Sequence, residues 1–192
     1  LRKYSFLIDL DIILVNEEKI SQLSNYKNKN VIGLYDRTYE TIKSYKLDKI
    51  KSDIEFLAGK KVNNIKWFGG EFYSGNPLFF KRLYKGCSTI KKKYFKNYSR
   101  FFHNGDEMIT NIFFNTNPKI KYKDMGNNKI IYRYWNNITF HQQKNFKTIK
   151  KYAFLHLPAD KKTLSNISLK NMTAEEFIHF YENKTQNYRR KF

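Results

Sequence analysis

Apolar residues run almost unbroken from Ser5 to Val15, SFLIDLDIILV, and only Asp9 and Asp11 interrupt them. β-branched and aromatic residues bounded by polar segments predict a strand buried on both faces, in the interior of a sheet. Side chains alternate along a strand, so acids at i and i+2 project from one side. Asn16, Glu17 and Glu18 follow. The strand is therefore expected to end just past the acidic pair, at the sheet margin where open α/β sheets take their ligands.

Glu17 to Asn30 predicts a short helix and a loop, and Asn30 to Tyr35 a short strand. Thr38 to Phe56 places Ile42, Tyr45, Leu47, Ile50, Ile54 and Phe56 at a loose helical spacing, as one helix or two. A turn is expected at Ala58-Gly59, then a strand over Val62 to Phe68 running into Gly69-Gly70. The segment from Gly69 to Gly75 reads as a glycine-rich turn holding Glu71 and Ser74. Asn76-Pro77 supplies an N-cap and a first helical position for a helix reaching about Tyr98, with Gly86 a candidate interruption.

A further helix is expected over Asp106 to Phe114, with Met108, Ile109, Ile112 and Phe113 on its apolar face. Short strands are expected at Ile120 to Tyr122 and Ile130 to Tyr134, around a turn at Gly126, and another over Tyr152 to Leu157, ended by Pro158. Thr173-Ala-Glu-Glu176 is a capping box opening a last helix to Asn183, followed by a basic tail, Lys184 to Phe192. The alternation predicts an α/β domain over residues 1–183, a mixed sheet flanked by helices.

Composition adds three constraints. A chain of 192 residues, 41% of them hydrophobic, can bury a real core. No apolar run approaches the length of a membrane span, and no signal-peptide pattern opens the sequence. Cys87 stands alone, so neither an intrachain disulfide nor a cysteine metal cluster can form, which fits a reducing, cytoplasmic setting. A formal charge of +20 points to an anionic partner: nucleic acid, an acidic lipid surface or a phosphorylated substrate. Codon bias toward Lys, Asn, Ile, Tyr and Phe accounts for the same charge with no binding role.

Three clusters offer chemistry. Buried carboxylates are costly unless paired or bound to a metal, so Asp9 and Asp11 form a candidate site for a hard divalent cation, or else an ordinary strand end with solvated acids. The second cluster is the Gly69 to Gly75 segment. The third is His103-Asn-Gly-Asp106-Glu107, with Asn111 one turn beyond Glu107 on the same face. Capping by acids at a helix start explains Asp106 and Glu107 without function. His156 is a lone histidine on an apolar strand, a setting that more often marks a core residue than a ligand.

In order, a strand with D-x-D, a W-x-G-G-x-F-x-x-G segment leading into a helix, and H-x-x-D-E-x-x-x-N resemble the nucleotide-sugar glycosyltransferases of the GT-A fold. These include small bacterial glycan-building transferases and, more distantly, the galactosyl- and N-acetylgalactosaminyltransferases related to the ABO blood-group enzymes. In the latter, His directly precedes Asp-Glu, whereas Asn104 and Gly105 intervene here. The resemblance spans Ser5 to Trp135 and extends to His156 as the late metal-binding histidine.

It implies transfer of a hexose from a nucleotide diphosphate sugar to a surface glycan or glycolipid acceptor, as in capsule or lipopolysaccharide assembly. Asp9, Asp11 and His156 would hold Mn²⁺ or Mg²⁺ on the donor diphosphate. Glu107 would stabilise the anomeric centre or act as a transient nucleophile, and Asp106 would bind sugar hydroxyls. Trp67, Gly70, Glu71, Ser74, Gly75, His103 and Asn111 would line the substrate pocket. Asp11, Glu71, Asp106, Glu107 and His156 are thus expected at one cleft. In that family the D-x-D lies far into the chain, so most of the nucleotide-binding half is expected to be missing here. An inactive transferase remnant, or a dependence on a partner polypeptide, follows as an alternative. A cytoplasmic location, peripheral at an anionic membrane surface, suits such an enzyme. The rival from composition is a basic nucleic-acid-binding module, with KKKYFKNYSRFF as its stacking segment, though no nucleic-acid signature accompanies it.

Overall fold

The computed structural model describes residues 4–28, 31–39, 41, 47–134, 146–158, 172–173, 175–177, 179–181 and 183. In chain order the elements are β1 (Ser5–Ile8), β2 (Ile12–Leu14), α1 (Ser21–Asn28), β3 (Ile32–Asp36), α2 (Leu47–Ala58), β4 (Phe68–Gly75), α3 (Pro77–Lys96), α4 (Glu107–Thr116), β5 (Tyr122–Asp124), β6 (Ile131–Arg133) and β7 (Phe154–His156). The architecture is mixed α/β. It divides into two compact units, Leu1–Ile8 with Ser24–Asn128, and Asp9–Leu23 with Lys129–Phe192. The tail expected over 184–192 lies outside the described residues, as do parts of the helices expected over Thr38 to Phe56 and Thr173 to Asn183.

The sheet of the first unit has the order β1-β4-β3-β5. β4 runs antiparallel to both neighbours, and β3 and β5 are parallel. The interior strands are therefore β4 and β3, and β4 is buried along nearly its whole length. This corrects the expected glycine-rich turn over Gly69 to Gly75. Glycine there marks close approach within a strand. A Cβ on Gly75 would lie 2.5 Å from the Phe79 ring, and one on Gly69 would lie 1.9 Å from the Glu71 carboxylate. The strand is also bulged. Pairing steps from Leu34 to Asp36 along β3 while it steps from Tyr73 to Phe68 along β4.

The long interior strand expected from Ser5 to Val15 is corrected too. It breaks at Asp9 to Asp11 into β1 and β2, which belong to different sheets. β1 is an edge strand, with Phe6, Leu7 and Ile8 each roughly half exposed, and Leu10 is wholly exposed. Asp9 Oδ1 accepts a hydrogen bond from the Leu10 amide at 2.8 Å, a local bond that competes with strand pairing. An apolar run has the same appearance whether it forms one strand or two.

Three helices of the first unit build a core. Ile50, Ile54 and Leu57 of α2 recur at helical spacing and pack with Trp67, Tyr94, Phe101, Met108 and Ile112. α3 starts as the sequence predicts: Asn76 Oδ1 accepts from the Phe79 amide at 2.9 Å, and Pro77 takes the first position. It continues unbroken through Gly86, because that glycine lets α3 approach α4. A Cβ there would lie 2.3 Å from the Phe113 ring. Gly59, at φ +67°, closes α2 in the left-handed conformation.

The sheet of the second unit has the order β2-β7-β6, antiparallel between β2 and β7 and parallel between β7 and β6. Val15, Tyr132, Tyr134, Ile149, Leu155, Leu157, Phe177 and Tyr181 form its core. The capping box is present: Thr173 N donates to Glu176 Oε2 at 2.7 Å, and Glu176 N donates to Thr173 Oγ1 at 3.2 Å. The two short strands expected around Gly126, β5 and β6, belong to separate sheets rather than to one hairpin. No helix among the described residues is long and apolar enough to cross a membrane.

Gly86→Leu should destabilise the protein by about 1–3 kcal/mol through overpacking against Phe113. Ser88→Ala, an exposed change on the same helix, should stay within about 0.5 kcal/mol of wild type. Urea denaturation of both variants checks the contrast.

Candidate functional site

In the second unit, the connection that separates β1 from β2 carries Asp9 and Asp11, and β7 ends on His156. The antiparallel register sets Ile12 opposite His156, and the Leu157 amide donates to the Asp11 carbonyl at 3.1 Å. Asp11 is thereby held beside the histidine. His156 Nε2 lies 3.1 Å from Asp11 Oδ1, and both side chains are almost fully buried. Asp9 is exposed at the rim, and one ligand atom from each of the three residues lies within 4.8 Å of the others. Two carboxylate oxygens and an imidazole nitrogen form a donor set that can hold a metal ion. The acids converge because the chain turns at Leu10 and Asp11, not because a straight strand presents them on one side.

In the first unit a second acidic group surrounds the start of α4. Asp106 caps the helix, its Oδ1 accepting from the Glu107 amide at 2.9 Å. Glu107 is largely buried. Its Oε1 lies 3.0 Å from His103 Nε2, and its Oε2 accepts from the Gly70 amide at 3.3 Å. Burial works to raise the Glu107 pKa, but the His103 hydrogen bond and charge, aided by Arg37, outweigh it and hold the carboxyl below its ordinary range; Glu71 opposes them. Glu107 is accordingly an ionised carboxylate at neutral pH, suited to stabilising positive charge rather than to donating a proton. Glu71 itself is buried, in the space that Gly69 leaves.

The other expected substrate residues have structural contacts. Trp67 is buried in the helical core, its ring edge-on to that of His103 with the centroids 4.9 Å apart. Ser74 is fully buried, its hydroxyl 3.0 Å from that of Tyr4. Gly75 packs on Phe79. Asn111 is buried and bonds β4 directly: Oδ1 accepts from the Phe68 amide at 2.7 Å, and Nδ2 donates to the Phe68 carbonyl at 2.8 Å and to the Glu107 carbonyl at 2.9 Å.

Sequence reasoning missed Asn115, which does the same one turn later. It accepts from the Lys66 amide at 2.9 Å and donates to the Lys66 carbonyl at 2.7 Å. The expected strand over Val62 to Phe68 is corrected: β4 begins only at Phe68, and ahead of it Lys66 bonds the Asn115 amide while Trp67 bonds the Thr38 hydroxyl and the Arg37 amide. The N-x-x-x-N spacing of Asn111 and Asn115 is the signal in the sequence. Arg37 was missed as well, and a lone arginine after a strand carries no comparable signal. Asp9, Asp11 and His156 belong to the second unit, and Glu71, His103, Asp106 and Glu107 to the first.

Comparison with family models, with curated proteins and with solved structures yields no match to this chain.

Two measurements probe this arrangement. The depressed Glu107 pKa gives a stability contribution that is present above the ordinary carboxyl value of 4.5 and lost as pH falls through the folded-state value. The stability deficit of Glu107→Gln, read by urea denaturation, should therefore be larger at neutral pH than at about pH 3. Asn111→Ala should cost about 2–4 kcal/mol, because it leaves both the amide and the carbonyl of Phe68 unpaired in the interior. Asn111→Asp should recover only the acceptor half of that loss.

Proposed function

We propose that the chain is the catalytic part of a metal-dependent glycosyltransferase of GT-A type, moving a hexose from a nucleotide diphosphate sugar to a glycan or glycolipid acceptor. The observation that carries this reading is the Asp9, Asp11 and His156 cluster, whose ligand atoms lie within 4.8 Å of one another. A buried acid beside a histidine, with an exposed acid at the rim, suits a cation that must also reach a soluble ligand. Asp11 and His156 would hold Mn²⁺ or Mg²⁺ from the protein side, and Asp9 would close the third position. When bound, such an ion offsets the charge that develops on a leaving nucleoside diphosphate.

Each unit supplies groups of its own to this reading. Asp11 is oriented by the Leu157 amide on its own carbonyl and by His156 on its carboxylate. Glu107, kept ionised by His103 and Arg37, is the group that would stabilise positive charge at an anomeric carbon. Asp106, exposed at the first turn of α4, is open to sugar hydroxyls. Trp67 and Asn111 position these groups from behind, fixing His103 and the start of α4.

Titration calorimetry with Mn²⁺ and then a nucleoside diphosphate tests the reading. Wild type should bind the nucleotide only with the metal present. Asp11→Asn, which keeps the side chain's shape, and His156→Ala should each weaken Mn²⁺ uptake at least about tenfold. Glu107→Gln should bind metal and nucleotide as wild type does but lose turnover. Metal-independent nucleotide binding of equal strength in all variants, or none in wild type, overturns the assignment.

A further inference from the structure

From Phe72 to Gly105 the chain contains no Asp or Glu, although acids occur on both flanks at Glu71 and Asp106. Most of that stretch is α3, a helix of 20 residues and so about 30 Å long. Its buried side is Phe79, Leu83 and Tyr94. The opposite side carries two adjoining stripes at helical spacing. One consists of Lys81, Lys85, Ser88, Lys92 and Lys96, and the other of Tyr84, Ser88, Lys91 and Phe95, and every one of these residues is exposed.

Tyr84 is 76% and Phe95 57% exposed, which is unusual for large rings on a helix whose other face already fills a core. None of the five lysines is paired with a carboxylate among the described residues. Among the described residues, Lys91 lies over the Phe95 ring, 5.9 Å from its centroid. By contrast, Lys93, on the flank of the helix, is committed to the carbonyls of Phe56 and Leu57 at the end of α2.

We propose that this face of α3 is a docking surface for an anionic phospholipid bilayer. The helix would lie flat on the headgroups, its lysines against lipid phosphates and carboxylates and the rings of Tyr84 and Phe95 at the headgroup boundary. Lysine-rich helices with a few exposed aromatics bind such surfaces by charge and shallow ring insertion together. A helix face is convex. Single-stranded nucleic acid is bound instead in a groove that tracks its backbone past stacking platforms. The surface therefore fits a lipid plane better than a strand of DNA or RNA. The proposal does not rest on the transferase reading, since none of these residues belongs to either acidic cluster.

Co-sedimentation with vesicles tests it. At about 0.1 M salt the protein should bind vesicles of three parts phosphatidylcholine to one part phosphatidylserine, but not phosphatidylcholine alone, and binding should fall as salt rises. Each lost lysine should weaken binding about fivefold, so a Lys85→Glu, Lys92→Glu, Lys96→Glu variant should lose on the order of a hundredfold or more. These positions are exposed, and an unchanged urea midpoint shows that the fold is intact. Phe95→Trp should report insertion by a blue shift in emission on the phosphatidylserine vesicles only. Equal binding to both vesicle types, phosphatidylserine binding unchanged by the triple variant, or loss of oligonucleotide binding in that variant with no vesicle binding in wild type would each overturn the proposal.

Discussion

Two buried asparagines stand where a neighbouring strand would otherwise be needed. An amide side chain carries a donor and an acceptor on one plane, so it can pair both backbone groups of a residue as a strand does. Asn111 does this for Phe68 and Asn115 for Lys66, and the two amides are joined through the Asn111 carbonyl at 2.8 Å. The entry to β4 is thus bonded to α4 along one edge, while its other edge meets the end of β3, where the Arg37 amide donates to the Trp67 carbonyl at 2.8 Å. Everything at the start of α4 follows from that fixed crossing. The bulge lies between Phe68 and Tyr73, the Gly70 amide reaches Glu107, and His103 is held between Glu107 and the Trp67 ring.

Buried acids are the costly feature of this protein, and three of them are met in different ways. Glu107 is balanced by His103 and Arg37. Asp11 is set against His156 with both side chains out of water. Asp53 accepts from the Phe102 amide at 2.7 Å and so ties α2 to the segment after α3. The first two have a histidine as partner, a ring that can also take a metal. The third has a backbone amide, whose charge never changes. That difference in chemistry separates the candidate sites from a structural acid.

The excess positive charge is distributed unevenly. Some cations have a structural role: Lys93 and Arg100 sit over the Phe56 ring, and Lys66 over Tyr122, where it also donates to the phenol oxygen. The lysines on the outer face of α3 do not. A helix with cations throughout and no acid to form i,i+4 pairs gives up the usual surface stabilisation, and it is held instead by its buried aromatic side.

Local signals carried much of the reading. Asn76-Pro77 opens α3, Thr173 and Glu176 form their box, Asp106 caps α4, and the alternation of elements implies a mixed α/β chain, all because each depends on residues within one turn of each other. Asp9 and Asp11 could be named as candidate ligands from residue type and strand context, whereas His156 entered as a ligand only through the family resemblance. What sequence did not reveal was pairing. It could not show that Ser5 to Val15 splits between two sheets, that Gly69 to Gly75 lies in an interior strand, or that Asn115 and Arg37 matter. Those outcomes depend on which distant segment lies alongside. Glycine is compatible with a turn, a bulge or a crowded strand, and only the Phe79 ring and the Glu71 carboxylate, brought close by the fold, select the crowded strand.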